Sequence, residues 1–559
     1  MKKTTIKTIL LCTLMAALLV NCSKVTGNPG DNGTPVGGLS ISVTEPVNDM
    51  DKLSIYIDPG IPQEILPDFA GLDWITQSDD HAKASLLIHE VGQARQGDFI
   101  YQKSLQVYAL VAPFPTLIDD VTAGEIRDFW KGEGSTSFSS LIMSQATLDA
   151  FSAVWGNPLT GSIRVLNPGE NLDTWQEMDA WAIVPFDQLN SHWKVISIGG
   201  ISPLDPAEGL LDYPLALTYE LSGNPESEAI YRQHESEILL GPGNRDLSKM
   251  TRVVMTGVTA LVRATADKME KLGITYPGED IRVWLQSADI THISNEISFI
   301  EGCPPPNPLS STLIFCSDPK YIGLLEYVGA DVIELTGNHM NDWYADGLPF
   351  TLALYRERGW QKFGGGIDLA DSRLPALFED HGNKIAFIGC NDPGPDYAFA
   401  TATRGGSAPC EDYGWMQDTI RELTQQGYQV MATIQYHENY SYEADNQVRA
   451  LYHPLVEAGA VVVQGSQAHT PKEMEFYAGG FIHYGLGNLF FDQMNVHQNG
   501  VFIFSTRQEF IDRYTFYNGH LISIELLTAM LEDYSRPRPM TLEERQDLLE
   551  AVFSISHWK

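Results

Sequence analysis

The chain has 559 residues, 43% of them hydrophobic and 10% aromatic, which is enough for two or three domains with real cores and argues against disorder. Asp and Glu number 72 against 36 Lys and Arg, a formal charge of −36. A surface so acidic repels nucleic acid and anionic lipid, so neither is expected as a partner, and an anionic substrate would need a local positive centre such as a metal.

The amino terminus reads as an export signal. Lys2, Lys3 and Lys7 precede "ILLCTLMAALLV", an apolar run of signal-peptide length that is too short to span a bilayer comfortably. The run ends in "LLVNC", with Cys22 where a bacterial lipoprotein carries its acylated cysteine, although Asn21 stands where a small residue is usual. The expectation is a signal peptide over 1–21, a lipidated Cys22 and a flexible tether over 22–48, "SKVTGNPGDNGTPVGG" being of linker composition. An ordinary cleaved signal, with no role for Cys22, is the alternative. The predicted location is extracytoplasmic, at the bacterial cell membrane, held by the lipid anchor only.

Residues 49–245 alternate short β-rich runs ("LSIYID", "ASLLIHEV", "VYALVAPF", "AWAIVPF", "WKVISIGG") with helical stretches, which predicts a layered α/β domain. The order in "VYALVAPFPTLIDDVTAGEIRDFW" (a buried strand, a Pro-rich crossing, then a helix opening on Thr-Ala-x-Glu) resembles bacterial transporter substrate-binding proteins, with "DAWAIVPFDQL" as the returning crossing. That resemblance implies a small ligand for this domain.

A polar segment, "HESEILLGPGNRDLSKM", leads to a second α/β unit over 250–559. Its four cysteines fall into two local pairs, and in an oxidising compartment the expectation is two disulfides, Cys303–Cys316 and Cys390–Cys410. Zinc is the weaker reading, because no CxxC spacing occurs and the loops hold few histidines. Polar residues follow apolar runs at "MTGVTALVR", "ADITHISNEISF", "ELTGNHMNDW", "ATIQYHENYSY" and "VVVQGSQAHTPKEMEFYAGGFIHYGLGNLFFDQ". Each alone could be a turn. Five together predict one site, because the carboxyl ends of neighbouring strands in an α/β fold share a rim.

"GNHMND", "GSQAH" and "YGLGNLFFD" resemble motifs of the CapA (poly-γ-glutamate PgsA) capsule-biosynthesis family, whose domain is related to the calcineurin-like metallophosphoesterases. The resemblance covers about residues 250–530 and carries through Asn338, His339, Asp342, Gly465, His469, Asn488 and Asp492. It implies a metallophosphoesterase-like layered α/β domain, with Glu296, Asn338, His339, His437 and His469 as metal ligands and Asn338, His339 and His469 as catalytic groups. The chain departs from the family pattern at Val258, where the family has Asp, at Ser294 for Asn, at Glu438 and Asn439 for Trp-Gly, at Gln467 for His and at Ala468 for Pro. A valine cannot bind a metal, so the expectation is at most one divalent transition ion (Mn, Fe or Zn) rather than a pair. His292, on the face of a regular strand shared by Ser294 and Glu296, and Asp342 could compensate.

The implied function is capsule polysaccharide or poly-γ-glutamate biosynthesis at the envelope, as a metal-assisted hydrolase or transferase. Its partners would be the polymer or its precursor and other capsule-synthesis membrane proteins. The alternative is a non-catalytic envelope protein that binds a small ligand or surface polymer.

Overall fold

The computed structural model describes residues 52–558 apart from 168–169, 171–178, 207–209, 211 and 344–346. The expected signal peptide, Cys22 and tether lie outside the described residues. Residues 52–559 form one compact unit, in which the α/β reading of both halves holds. Among the described residues, no helix is long and apolar enough to cross a membrane.

The first half is built on a twisted mixed sheet. Strands β1 (Leu53–Ile57) and β2 (Leu86–Glu90) run parallel. The long β3 (Phe99–Pro113) pairs antiparallel with β4 (Ala180–Pro185) on one side and with β5 (Ala216–Gly223) on the other. β4 is buried along almost its whole length, as its unbroken apolar run "AWAIVP" requires of a central strand. The Thr-Ala-x-Glu start read from sequence is a true helix start: the Thr122 side chain accepts the backbone N–H of Glu125 and opens helix α1 (Ala123–Trp130).

The second half is a sandwich of two sheets with helices outside both. Sheet one centres on β6 (Met250–Thr256), β7 (Ile290–Asn295), β8 (Val332–Glu334), β13 (Gln508–Tyr517) and β14 (His520–Glu532). Sheet two is built on β9 (Asn383–Asn391), β10 (Gln429–Gln435), β11 (Ala460–Ser466) and β12 (Gly480–His483). β6–β7–β8 pair parallel, as do β9–β10–β11–β12, and β13 closes antiparallel on β6. Val253, Met255, Ile290 and Val332 from sheet one meet Phe387, Met431, Val462 and Phe481 from sheet two in one core. Helix α2 (Arg263–Leu272) covers the outer face of sheet one, and helices α3 (Gly414–Gln425) and α4 (Asn446–Glu457) cover sheet two.

The halves share a seam. Phe114, just past β3, packs against Phe476, Phe481 and Trp558 with ring centres 5.1–5.5 Å apart. Asp119 takes both a fork from Arg545 and an ion pair from Lys194. Those two cations hold its carboxyl down to about 2 against the opposing effect of burial, and burial pushes Lys194 down to about 8. Arg545 lies on the terminal helix α5 (Leu542–Phe553), which starts at a reciprocal cap between Thr541 and Glu544 and buries Leu548, Leu549 and Val552.

Both expected disulfides are formed, Cys303–Cys316 and Cys390–Cys410. The second ties the carboxyl end of β9 to the loop before α3 inside an apolar cluster. Replacing Cys390 and Cys410 by alanine should lower unfolding stability by about 3 kcal/mol, the chain-entropy value for a loop of this length. Urea unfolding of the variant against the oxidised parent measures it, and an unchanged midpoint would contradict the bond's role.

Candidate functional site

The strand ends converge as the sequence predicts, and β8 explains why "ELTGNH" ends as it does. After Glu334 the chain turns back over Glu296. A Cβ at Gly337 would sit 2.7 Å from Glu296 Cα and 2.9 Å from its carbonyl oxygen, so glycine is what lets the two loops touch. Gly257 does the same at the end of β6, where a Cβ would lie 2.2 Å from the carbonyl oxygen of Gly487. Ser294 and Ser466, from facing sheets, come within 3.5 Å.

Glu296 is 4% exposed and is the buried acid of the rim. Burial raises its pKa above the ordinary 4.5, and the imidazoles of His339 and His469 oppose that rise. Each imidazole is held by a partner on Nδ1. His339 donates to Asp342 at 2.6 Å, and Asp342 is fixed in turn by the backbone N–H of Phe315 and the hydroxyl of Tyr397. His469 donates to the amide oxygen of Asn488 at 2.8 Å, while the Asn488 nitrogen donates to the carbonyls of His469 and Thr506, which fixes the amide's orientation. Both Nε2 atoms are thereby left as the working atoms. Burial pulls the pKa of His339 down, but the Asp342 hydrogen bond and the Glu296 charge outweigh it, and the net shift is upward from 6.5. The His469 Nε2 lies 3.9 Å from a carboxylate oxygen of Glu438.

The other expected ligands do something different. The Asn338 side-chain oxygen accepts from the Gln435 side-chain nitrogen at 2.9 Å, and Gln435 also donates to the side-chain oxygen of Gln467. Gln467 takes a left-handed backbone (φ 64°), a conformation that costs an ordinary residue about 1 kcal/mol and is kept where surroundings enforce it. These three amides bond to one another. His437 is exposed, lies edge-on to Tyr436 and makes no hydrogen bond among the described residues. The residue that reaches inward from the end of β10 is Gln435, two positions earlier, which the sequence reading does not single out. His292 is committed elsewhere: its Nδ1 accepts the Thr256 backbone N–H, and its Nε2 donates to Glu334, a buried pair within the sandwich.

A two-ion centre does not fit these residues. Val258 offers no ligand atom, and the side-chain oxygens of Asn338 and Gln467 are both taken by the Gln435 amide nitrogen. Glu296, His339 and His469 have the right donor chemistry for a single ion. Their ligand atoms do not all lie within 4.8 Å of one another. Among the described residues, the group that is so close is Asp289, Asp380 and His381, on largely exposed turns at the opposite ends of the strands.

Arg263, at the start of α2, completes the rim. Its guanidinium forks onto Asp492 and stands over Phe315 and Phe491, with ring centres 5.1 and 5.2 Å away. It and Gln435 both lie within polar segments of the sequence, "MTGVTALVR" and "ATIQYHENYSY", but nothing local singles either residue out, since their partners lie far away in the chain.

Residues 252–493 match the family model for bacterial capsule synthesis protein PGA_cap. The chain is 23% identical over 256 residues to a capsule biosynthesis protein CapA of Bacillus anthracis, a match covering 45% of this chain and 62% of that protein, so less than two thirds of the relative is spanned. A putative 5'-nucleotidase structure from Staphylococcus aureus aligns at 12% identity and TM-score 0.33, covering 54% of this chain and 58% of the other. An ABC-type phosphate transport receptor from Vibrio cholerae aligns at 10% identity and TM-score 0.25, over 29% of this chain and 81% of the receptor. Superpositions this loose add nothing to the sheet order given above. The sequence match and the motif residues gathered at the rim agree: residues 252–493 match the CapA-type bacterial capsule-synthesis family.

Proposed function

We propose that the protein acts outside the cytoplasm in making or trimming an anionic capsule polymer of the poly-γ-glutamate or polysaccharide class, as a hydrolase or transferase on the polymer or its precursor. The observation that carries this reading is the buried Glu296 set against two imidazoles, each pinned at Nδ1 and with no hydrogen bond at Nε2 among the described residues, inside the segment that matches the capsule-synthesis family. Ionised Glu296 takes a proton from the attacking water or amine. Protonated His339 gives one to the departing amine or hydroxyl, and Asp342 steadies the imidazolium. His469 orients the attacking group through Nε2. In an alternative, ion-loaded form, neutral His339 and His469 with Glu296 would hold one divalent transition ion, which would polarise the carbonyl or phosphoryl oxygen of the substrate in place of the His339 proton.

The two disulfides suit an oxidising compartment, and a lipid on Cys22 is part of the proposal. Residues 49–245 are proposed as a separate ligand-binding domain. The second reading, a non-catalytic envelope binding protein, is favoured by the closed Asn338–Gln435–Gln467 amide chain.

The test is incubation of purified mature protein with γ-glutamyl oligomers and acidic oligosaccharides, with and without Mn, Fe or Zn, following new chain ends by mass spectrometry. New ends support the enzyme. Tight binding with no new ends supports the second reading. Metal analysis of the same sample should give no more than one equivalent. Two equivalents would show that the loss of the aspartate at Val258 is compensated.

A further inference from the structure

A chain of formal charge −36 can hold a polyanion only where its own acids are locally overcome. Few cations near the rim are free to do so. Lys472 is turned into the loop above it and donates to the carbonyls of Asn439 and Ser441. Arg449 pairs with the fully buried Glu473. Arg263 differs from both.

Its Nε and Nη2 are taken by Asp492, which also accepts the backbone N–H of Ala264. Nη1 makes no hydrogen bond among the described residues, and the side chain keeps 19% of its surface exposed. The residue pays for this pose with a left-handed backbone (φ 43°), which an arginine seldom adopts.

The setting is built on both sides. Phe315 and Phe491 each present a ring to the guanidinium, and the same two rings flank the imidazoles, Phe315 at 4.8 Å from His339 and Phe491 at 5.2 Å from His469. Phe315 is the neighbour of Cys316, so the Cys303–Cys316 disulfide anchors the segment that carries this ring. The Arg263 charge is felt at His339, whose proton affinity it lowers.

We propose that Arg263 is the substrate-recognition residue of this site, and that its free Nη1 edge binds a carboxylate of the polymer beside the bond being cut or made. The proposal rests on the capsule-polymer reading and narrows it to a carboxylate-bearing chain. A planar guanidinium offers a carboxylate a charge-assisted hydrogen bond in fixed geometry, which an ammonium on a flexible stem does not. The chemistry of a γ-glutamyl chain suits this arrangement: every amide nitrogen sits on a carbon bearing a free carboxylate. An anion on Nη1 therefore sets the amide beside Phe315 and Phe491, the rings that also flank His339 and His469. Asp492 holds the guanidinium in register and, being an anion, also weakens its grip on a second carboxylate.

That opposition supplies the test. A γ-glutamyl decamer, an oligogalacturonate and inorganic phosphate are titrated calorimetrically into the full mature chain and into Arg263→Gln, Arg263→Lys and Asp492→Asn, with melting temperatures recorded for each. The expected result is that Arg263→Gln weakens binding of a carboxylate oligomer at least 10-fold, Arg263→Lys weakens it by less, and Asp492→Asn tightens it several-fold. A purely structural arginine would instead make Arg263→Gln and Asp492→Asn lose binding and melting temperature together. Equal affinity in all four proteins, no binding of either oligomer, or binding of phosphate alone overturns the proposal. Arg263-dependent binding of oligogalacturonate without the γ-glutamyl decamer supports Arg263 as the carboxylate reader and rejects the γ-glutamyl reading of the substrate.

Discussion

Asp512→Ala should cost the folded protein about 3 kcal/mol, the loss expected when the buried carboxylate that accepts from two buried donors is removed. Asp512 and His483 are both 0% exposed, with His483 Nδ1 2.6 Å from the Asp512 carboxylate. The Tyr514 hydroxyl donates to the same carboxylate oxygen at 3.0 Å. Deleting the carboxylate strands an imidazole N–H and a phenol hydroxyl between two sheets, where no water replaces what they lose. Asp512→Asn keeps an acceptor for both donors and should cost about 1–2 kcal/mol. The double variant His483→Ala/Asp512→Ala should lose less than the sum of the single losses, because the second deletion removes a group already stranded. Urea unfolding at pH 7 measures all four. Additive losses would mean that the two side chains do not depend on each other.

The pair also shows where the sequence stops being legible. His483 in "GGFIHYGLGN" and Asp512 in "QEFIDRYTFY" occupy ordinary alternating positions on strands, and nothing local marks them as partners across a core. What is legible lies close in the chain or recurs as a pattern. The strand–helix alternation yields both α/β halves. Gly-Asn-His after an apolar run marks the rim, and the local cysteine pairs yield both disulfides. His339 and Asp342 are three residues apart, so their pairing follows from one motif.

Gln435 and Arg263 fail to stand out for the opposite reason. Gln435 acquires meaning only through Asn338 and Gln467, 97 and 32 residues away, and Arg263 only through Asp492, 229 residues away. The histidine at 437 is a more conspicuous residue type than the glutamine at 435, but strand β10 ends at Gln435 and in the loop that follows the His437 side chain is exposed. Residue type is a local fact, whereas the direction of a side chain is set by where its strand stops.

His339→Ala should lower turnover of the polymer or oligomer substrate by 10²–10⁴-fold, the usual range for loss of a positioned proton donor. Glu296→Gln should do the same. His437→Ala should change the rate less than about 3-fold, the residue being exposed and without a hydrogen bond among the described residues. The pH profile separates the roles. Glu296 must be ionised to take a proton, and burial holds its pKa above the ordinary 4.5, so the acid limb of the profile lies above that value. His339 must be protonated to give one, and Asp342 with Glu296 holds it above 6.5 despite burial, so the rate falls only as pH rises past that point. Activity is therefore bell-shaped between the two. The same raised pKa makes the native state bind a proton that the unfolded chain releases, so the stability contributed by His339 is complete below 6.5 and is lost as pH climbs through its folded value. Asp342→Asn should move the alkaline limb to lower pH, because the imidazolium loses its carboxylate. It should leave the acid limb nearly in place, because burial and the two imidazoles act on Glu296 more strongly than the Asp342 charge does. An alkaline limb that persists in His339→Ala would assign it to another group, and His469, whose Nε2 lies 3.9 Å from a Glu438 carboxylate oxygen, would then be the proton donor.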